Sequence, residues 1–217
     1  MAAKKIQIDF VSDVVCPWCA VGLASLETAL QRLEGEVEAE IQFQPFELNP
    51  DMAPEGEDRD EHLAKKYGRS KQEFAASREH IRQRAAAVGF TMNPQERIYN
   101  TFDAHRLLHW AGVAQPASQP ALKHALLRAY FTDARNIADP EVLVAAAQQA
   151  GLDPAEARAI LASDRYAADV RQEEQAWLSA GINSVPAIIV NRKYLISGGQ
   201  PPEVFEANLR EMAKQPD

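Results

Sequence analysis

The run Ile6-Gln7-Ile8-Asp9-Phe10-Val11-Ser12-Asp13-Val14-Val15-Cys16-Pro17-Trp18-Cys19 decides the fold. Its first half alternates, with Ile6, Ile8 and Phe10 on one face of an extended chain and Gln7, Asp9 and Val11 on the other, so residues 5 to 13 are predicted as a strand. Its second half opens a helix. From Pro17 to about Leu33 the apolar residues Val21, Leu23, Leu26, Ala29, Leu30 and Leu33 recur at helical spacing, and Gly35 stands where a helix stop is needed. The two cysteines of this 217-residue chain therefore lie on the first turn of a helix that leaves a strand. Two cysteines scattered at random over such a length would fall three apart in about 1 case in 100, so the spacing is itself informative.

Disulfide exchange needs a thiolate, and the unpaired amides and dipole of a helix N-terminus favour one at Cys16. Cys16 is the expected attacking sulfur. Cys19, three residues on and facing the same side of the helix, is the expected resolving thiol. Pro17 suits the first turn because its missing N–H would have no intrahelical partner there. Trp18 carries no titratable group and is expected to form an apolar rim. An inert disulfide and half of a zinc site are the competing readings; His105 and His109 have the spacing of a second pair of zinc ligands. They lie far along the chain in a helical pattern with no second cysteine pair, so no metal is expected. Asp13, just before the helix, reads as a cap or turn residue near the cleft.

Val37 to Phe46 alternates again and is predicted as a second strand, followed by an acidic linking loop over residues 51 to 60. From about Glu61 to Ala180 the pattern is helical, in stretches such as Lys71 to Val88, Thr101 to Ala111, Ala121 to Phe131, Glu141 to Ala150 and Pro154 to Leu161. Gly89, Gly112, Gly151 and Gly181 punctuate it. Asp139-Pro140 and Asp153-Pro154 each set a capping carboxylate before a first-turn proline. After Gly181, Ala187 to Val190 and Tyr194 to Ser197 read as strands around a turn at Asn191-Arg192-Lys193, and a last helix covers about Pro202 to Lys214. An opening β-α-β and a closing β-β-α make an α/β thioredoxin fold. Residues 1–55 and 181–217 would form it, and residues 56–180 a large all-helical insertion domain.

Composition sets the bounds. With 46% hydrophobic and 25% charged residues the chain can bury a sizeable core, and a formal net charge of -8 argues against a surface that tracks nucleic-acid phosphates. The N-terminus alternates after Lys4 and Lys5 rather than presenting the apolar stretch of a signal peptide, and no apolar run approaches the ~20 residues that cross a bilayer. A cytoplasmic protein with no membrane partner is expected.

With the cysteine motif, the strand before it and Ser184-Val185-Pro186 before the late strand, the chain resembles the DsbA family over nearly its whole length, nearest to the FrnE-like branch. The resemblance implies a protein disulfide oxidoreductase or isomerase acting on protein or peptide thiols, with glutathione a candidate co-substrate and a redox-active Cys16–Cys19 disulfide in place of a cofactor. It also implies a cis Val185-Pro186 bond opposite the sulfurs, which frees the Val185 backbone to pair with an extended substrate. The segment Asn100-Thr101-Phe102-Asp103-Ala104-His105-Arg106-Leu107 is similar to a run in the insertion of FrnE-like proteins, which covers the active site. Two readings of it stand: His105 reaches the cleft, or His105 and Arg106 sit on a solvated helix face. The related 2-hydroxychromene-2-carboxylate isomerases and kappa-class glutathione transferases carry serine where Cys16 stands and a charged turn where Ser197-Gly198-Gly199-Gln200 stands. A glutathione-dependent isomerase or transferase is therefore the alternative function, from which this sequence departs at both places. Gln200 remains a candidate cleft residue.

Overall fold

A computed structural model describes residues 3–68 and 70–215. Met1, Ala2, Arg69, Pro216 and Asp217 lie outside the described residues, and with them the outer ends of the segments expected to form the thioredoxin fold. Strand β1 (Lys4–Ser12) runs parallel to β2 (Val37–Pro45), and helix α1 (Pro17–Arg32) is the crossover between them. On its other side β1 pairs antiparallel with β5 (Ala187–Val190), which pairs antiparallel with β6 (Tyr194–Ser197), giving the order β2-β1-β5-β6. Helix α9 (Pro202–Ala213) packs on α1 through the buried Phe205 and Leu209. As the central strand, β1 buries Asp9 and Val11 as well as Ile8 and Phe10. This is the expected α/β architecture, and the two late strands start and stop where their periodicity places them.

Between β2 and β5 lie α2 (Arg59–Tyr67), α3 (Lys71–Ala87), α4 (Phe102–Ala114), α5 (Gln119–Phe131), α6 (Pro140–Gln149), α7 (Pro154–Leu161) and α8 (Ala167–Ser179). Asp139 and Asp153 cap α6 and α7 as expected, each accepting the N–H two residues on at 2.9 Å. One hydrophobic core runs through both parts of the chain, joining Ile8 and Phe10 of β1 to Leu107 of α4, Leu122 and Leu126 of α5 and Leu143 of α6. Helices α2 and α3 are held more lightly: α2 buries no residue and α3 only Ile81 and Ala85.

Two expectations are corrected. The linking loop over 51–60 ends in a two-residue strand, β3 (Glu57–Asp58), paired antiparallel with β4 (Arg97–Ile98), and then in the first turn of α2. Gly112 does not stop its helix, because α4 continues to Ala114. Its lack of a side chain serves packing instead: a Cβ there would stand 2.7 Å from Gln119 Nε2. The Gln119 amide needs that space, since it accepts the Phe43 N–H at 3.0 Å and donates to the Phe43 carbonyl at 3.1 Å, closing the exposed edge of β2. Among the described residues no helix is long and apolar enough to cross a membrane.

Candidate active site

Strand β1 delivers a buried backbone into a turn over Asp13 to Cys16, closed by the Cys16 N–H donating to the Asp13 carbonyl at 3.3 Å. Cys16 is the N-cap of α1, with extended φ of -84° and ψ of 114°, and its carbonyl accepts the N–H groups of Cys19 at 3.0 Å and Ala20 at 3.3 Å. No side chain caps this end of the helix, the Cys16 thiol included, so the first-turn amides have no side-chain hydrogen-bond acceptor. Both cysteines are free thiols. Cys16 lines a cavity of about 550 Å³, whereas Cys19 is fully buried behind it and does not. Burial, and then the neighbouring Cys16, push the Cys19 thiol well above the ordinary cysteine range.

The Val185-Pro186 bond is cis, and the Val185 carbonyl lies 3.8 Å from Cys16 Sγ. Two glycines let these pieces meet. A Cβ on Gly22 of α1 would stand 3.1 Å from Pro186 Cγ, and one on Gly199 would stand 2.7 Å from the Trp18 carbonyl oxygen. Trp18 forms part of the cavity wall under α3, with the Arg84 guanidinium 5.7 Å from its ring centre and the His80 ring 5.9 Å away. Phe46, Leu48, Ile81, Tyr130 and Phe131 add apolar wall, and Arg59, His62, Lys66 and Arg78 bring cationic or ionisable groups.

Beneath the cysteines lies a polar floor. Asp13 is completely buried; its Oδ2 accepts the Leu48 N–H at 2.8 Å, and its Oδ1 is 3.4 Å from His105 Nε2. Burial alone would raise the Asp13 carboxyl, but hydrogen bonding and charge from His105, with help from the Leu48 amide and Thr101, hold it below its usual value. Asp13 is thus the expected turn residue through its carbonyl, but its carboxylate is no helix cap, since it points inward rather than at the α1 amides. The solvated reading of His105 and Arg106 is also corrected: both are buried, because α4 packs on several sides at once. The Arg106 guanidinium donates to the carbonyls of Ile160 at 2.6 Å and Arg165 at 2.9 Å and to Asp103 at 2.8 Å, tying α4 to the end of α7. His109 turns elsewhere, 3.2 Å from Glu173, so the two histidines do not converge with the cysteines. Gln200 does not line the cavity; its amide folds back to donate to the Ser197 carbonyl at 2.7 Å.

The model of the DSBA-like thioredoxin domain matches residues 7–210. The chain belongs to the DsbA-like thioredoxin family. A probable DsbA oxidoreductase from Streptomyces coelicolor is 35% identical, with a TM-score of 0.89 over 98% of this chain and 92% of that one. A 2-hydroxychromene-2-carboxylate isomerase, 15% identical, has a TM-score of 0.72 over 96% and 97% of the two chains. The cytosolic disulfide reductase DsbM from Pseudomonas aeruginosa, solved with GSH, is 17% identical, with a TM-score of 0.64 over 96% and 100%. The last two share the fold. Family membership makes the chain a thiol oxidoreductase at a coarse level.

Two ionisable residues of this DsbA-like site escape the sequence reading. Glu47, just after β2, lines the cavity, pairs with Arg171 of α8 and is pushed up to about 7 by burial and by the charge of Glu174. Lys123 of α5 is buried with no hydrogen-bond partner for its Nζ among the described residues, and burial lowers it to about 8. A signal for Lys123 does exist in the sequence: it falls four residues before Leu127 and seven before Tyr130, on the apolar stripe of its helix. Glu47 has none, because its burial depends on α8, more than a hundred residues away.

Proposed function

We propose that the chain catalyses dithiol–disulfide exchange on protein or peptide thiols through Cys16-Pro17-Trp18-Cys19, in the manner of the FrnE-like branch and in the cytoplasm. The observation that carries this reading is the division of labour between the two sulfurs. Cys16, at the helix N-terminus, faces a cavity and the Val185 carbonyl, while Cys19 waits sealed behind it. A substrate disulfide entering the cavity meets the Cys16 thiolate; one substrate sulfur leaves as a thiolate and the other stays as a mixed disulfide. Cys19 then attacks Cys16, releasing the second sulfur and closing the 16–19 disulfide. The Val185 backbone orients the extended substrate. The cytosolic setting of the DsbM neighbour supports the cytoplasmic placement.

Glutathione as co-substrate is a second reading, favoured by a specific feature. In a chain of net charge -8, the cavity beside Cys16 carries Arg59 and Lys66, which among the described residues donate to carbonyl and amide oxygens (Gln95, Leu48 and Asn49) rather than to a carboxylate and so remain available to a peptide carboxylate. The DsbM neighbour solved with GSH supports it. The isomerase alternative has the fold in its favour but not the residue, since it uses serine where Cys16 stands.

Insulin turbidity with dithiothreitol as reductant tests the main reading. The wild type should accelerate precipitation and Cys16→Ser should not; equal rates would overturn it. With glutathione as reductant, the wild type should still accelerate the reaction and an Arg59→Ala, Lys66→Ala double variant should lose most of that gain.

A further inference from the structure

Asp13 is held at both ends. Its carbonyl accepts the Cys16 N–H at 3.3 Å, and the Cys16 carbonyl in turn accepts the Cys19 N–H at 3.0 Å. The main chain of Asp13 therefore fixes where the first turn of α1 begins, and with it the placing of both sulfurs. Its amide is also the main-chain group that favours charge on Cys19. The carboxylate points the other way, into the core, where Oδ2 accepts the Leu48 N–H at 2.8 Å and Oδ1 lies 3.4 Å from His105 Nε2. The side chains of that pair are 0% and 1% exposed, and neither Oδ1 nor Nε2 has a hydrogen-bond partner elsewhere among the described residues. Lys123 of α5 senses the same carboxylate. A buried ionisable pair rarely adds stability over apolar residues of the same volume, so this one is to be explained by what it holds. His105 makes a firm anchor. Its helix, α4, is fixed by the buried Ala104, Leu107 and Leu108 and by the bonds from Arg106 to the carbonyls of Ile160 and Arg165.

We propose that His105 is a positioning residue for disulfide closure: reaching from the inserted helices, it holds the Asp13 carboxylate and so fixes the main-chain turn that sets Cys19 against Cys16. The proposal rests on the reading of Cys16 and Cys19 as a dithiol exchange centre. In closure the Cys19 sulfur forms a bond to Cys16 Sγ, the bond from Cys16 to the substrate sulfur breaks, and the substrate sulfur leaves with that electron pair. The proton of the Cys19 thiol ends on the departing sulfur, and no outside oxidant or reductant is needed. His105 does not line the cavity and acts only through Asp13. Closure is intramolecular, and misplacing one reacting atom by about 1 Å costs on the order of 100-fold in such a step. The earlier attack of Cys16 on an incoming disulfide needs no alignment with Cys19. The two steps should therefore respond differently to loss of the anchor. Because the Leu48 amide still holds Oδ2, losing His105 loosens the turn without freeing it.

The test separates the two halves of the exchange. Reduced protein is mixed with oxidised glutathione, quenched in acid at intervals, and its Cys16–glutathione and Cys16–Cys19 forms are counted by mass. The contact with Asp13 uses Nε2, a position that the amide of glutamine reaches and that of asparagine does not. His105→Asn should form the mixed disulfide within about twofold of the wild-type rate and close it about tenfold more slowly, so that the mixed species accumulates. His105→Gln should recover most of the closure rate, whereas a role confined to packing would not separate the two steps. Asp13→Ala, which removes the carboxylate that His105 holds, should by itself slow closure at least about tenfold, and adding His105→Asn to it should slow closure by no more than about a further twofold. The Asp13→Ala pair keeps the test intact if His105→Asn alone does not fold. Wild-type closure in His105→Asn or Asp13→Ala, equal slowing of both steps, or a further tenfold loss in the double variant would overturn the proposal. A wild type that never closes the 16–19 disulfide would overturn the dithiol reading itself, and that failure appears before any substitution is made.

Discussion

Asp13 and Glu47 are both carboxylates below one cleft, yet their surroundings move them in opposite directions. Asp13 has a histidine and an amide to hold its charge; Glu47 has Arg171 but also faces Glu174, and burial prevails. The consequence for stability has a definite sign. A carboxyl raised from 4.5 to about 7 binds its proton more tightly in the native state than in the unfolded chain, so between those values stability falls as pH rises. Asp13, held low, titrates below this window and gives no slope within it. Glu47→Gln should therefore match the wild type closely near pH 5 and gain on it steadily toward pH 8, by on the order of 2 kcal/mol. Urea unfolding of both proteins at pH 5, 6, 7 and 8 measures this. A difference that stays constant with pH would mean that Glu47 is ionised throughout.

At the level of elements, the cysteine turn is held by the loop between β6 and α9. Gly199 is packed so closely that a Cβ would lie 2.7 Å from the Trp18 carbonyl oxygen, 3.2 Å from its ring and 3.4 Å from the Gly22 nitrogen, and its own carbonyl accepts from Arg84 of α3 at 3.1 Å. Two of those neighbours are backbone and cannot swing aside. Gly199→Ala should cost about 1–3 kcal/mol in urea unfolding, as overpacking does, and slow insulin reduction by displacing the first turn of α1. Loss of stability with unchanged activity would show that the loop supports the fold but not the motif. The sequence discloses little of this contact. Strands β1, β5 and β6 and helix α1 are legible because burial on one face writes a period into the residues. Strands β3 and β4 are too short to carry a period, and Gly112 and Gly199 look like breaks although they are close contacts made by distant parts of the chain. The turn with Cys16 at the head of a helix could be read directly; the burial of His105 could not, since α4 is covered on several sides and its polar residues no longer mark a solvent face.

For the whole molecule, the continuous core means that a charge buried between sheet and inserted helices burdens the entire fold. Lys123 is such a charge. Its folded value of about 8 lies below the ordinary 10.5, so between these values the unfolded chain holds a proton that the native chain has lost, and stability rises with pH. Below pH 8 both states are protonated and the burden is constant and complete. Lys123→Met should thus be more stable than the wild type by about 3 kcal/mol at pH 7, with the advantage shrinking above pH 8 and vanishing near pH 10.5. Denaturant unfolding across that range checks both the size and the window. A variant less stable at every pH would instead mean that the lysine stem fills space in the core which methionine cannot, and that this packing outweighs the burden of its charge.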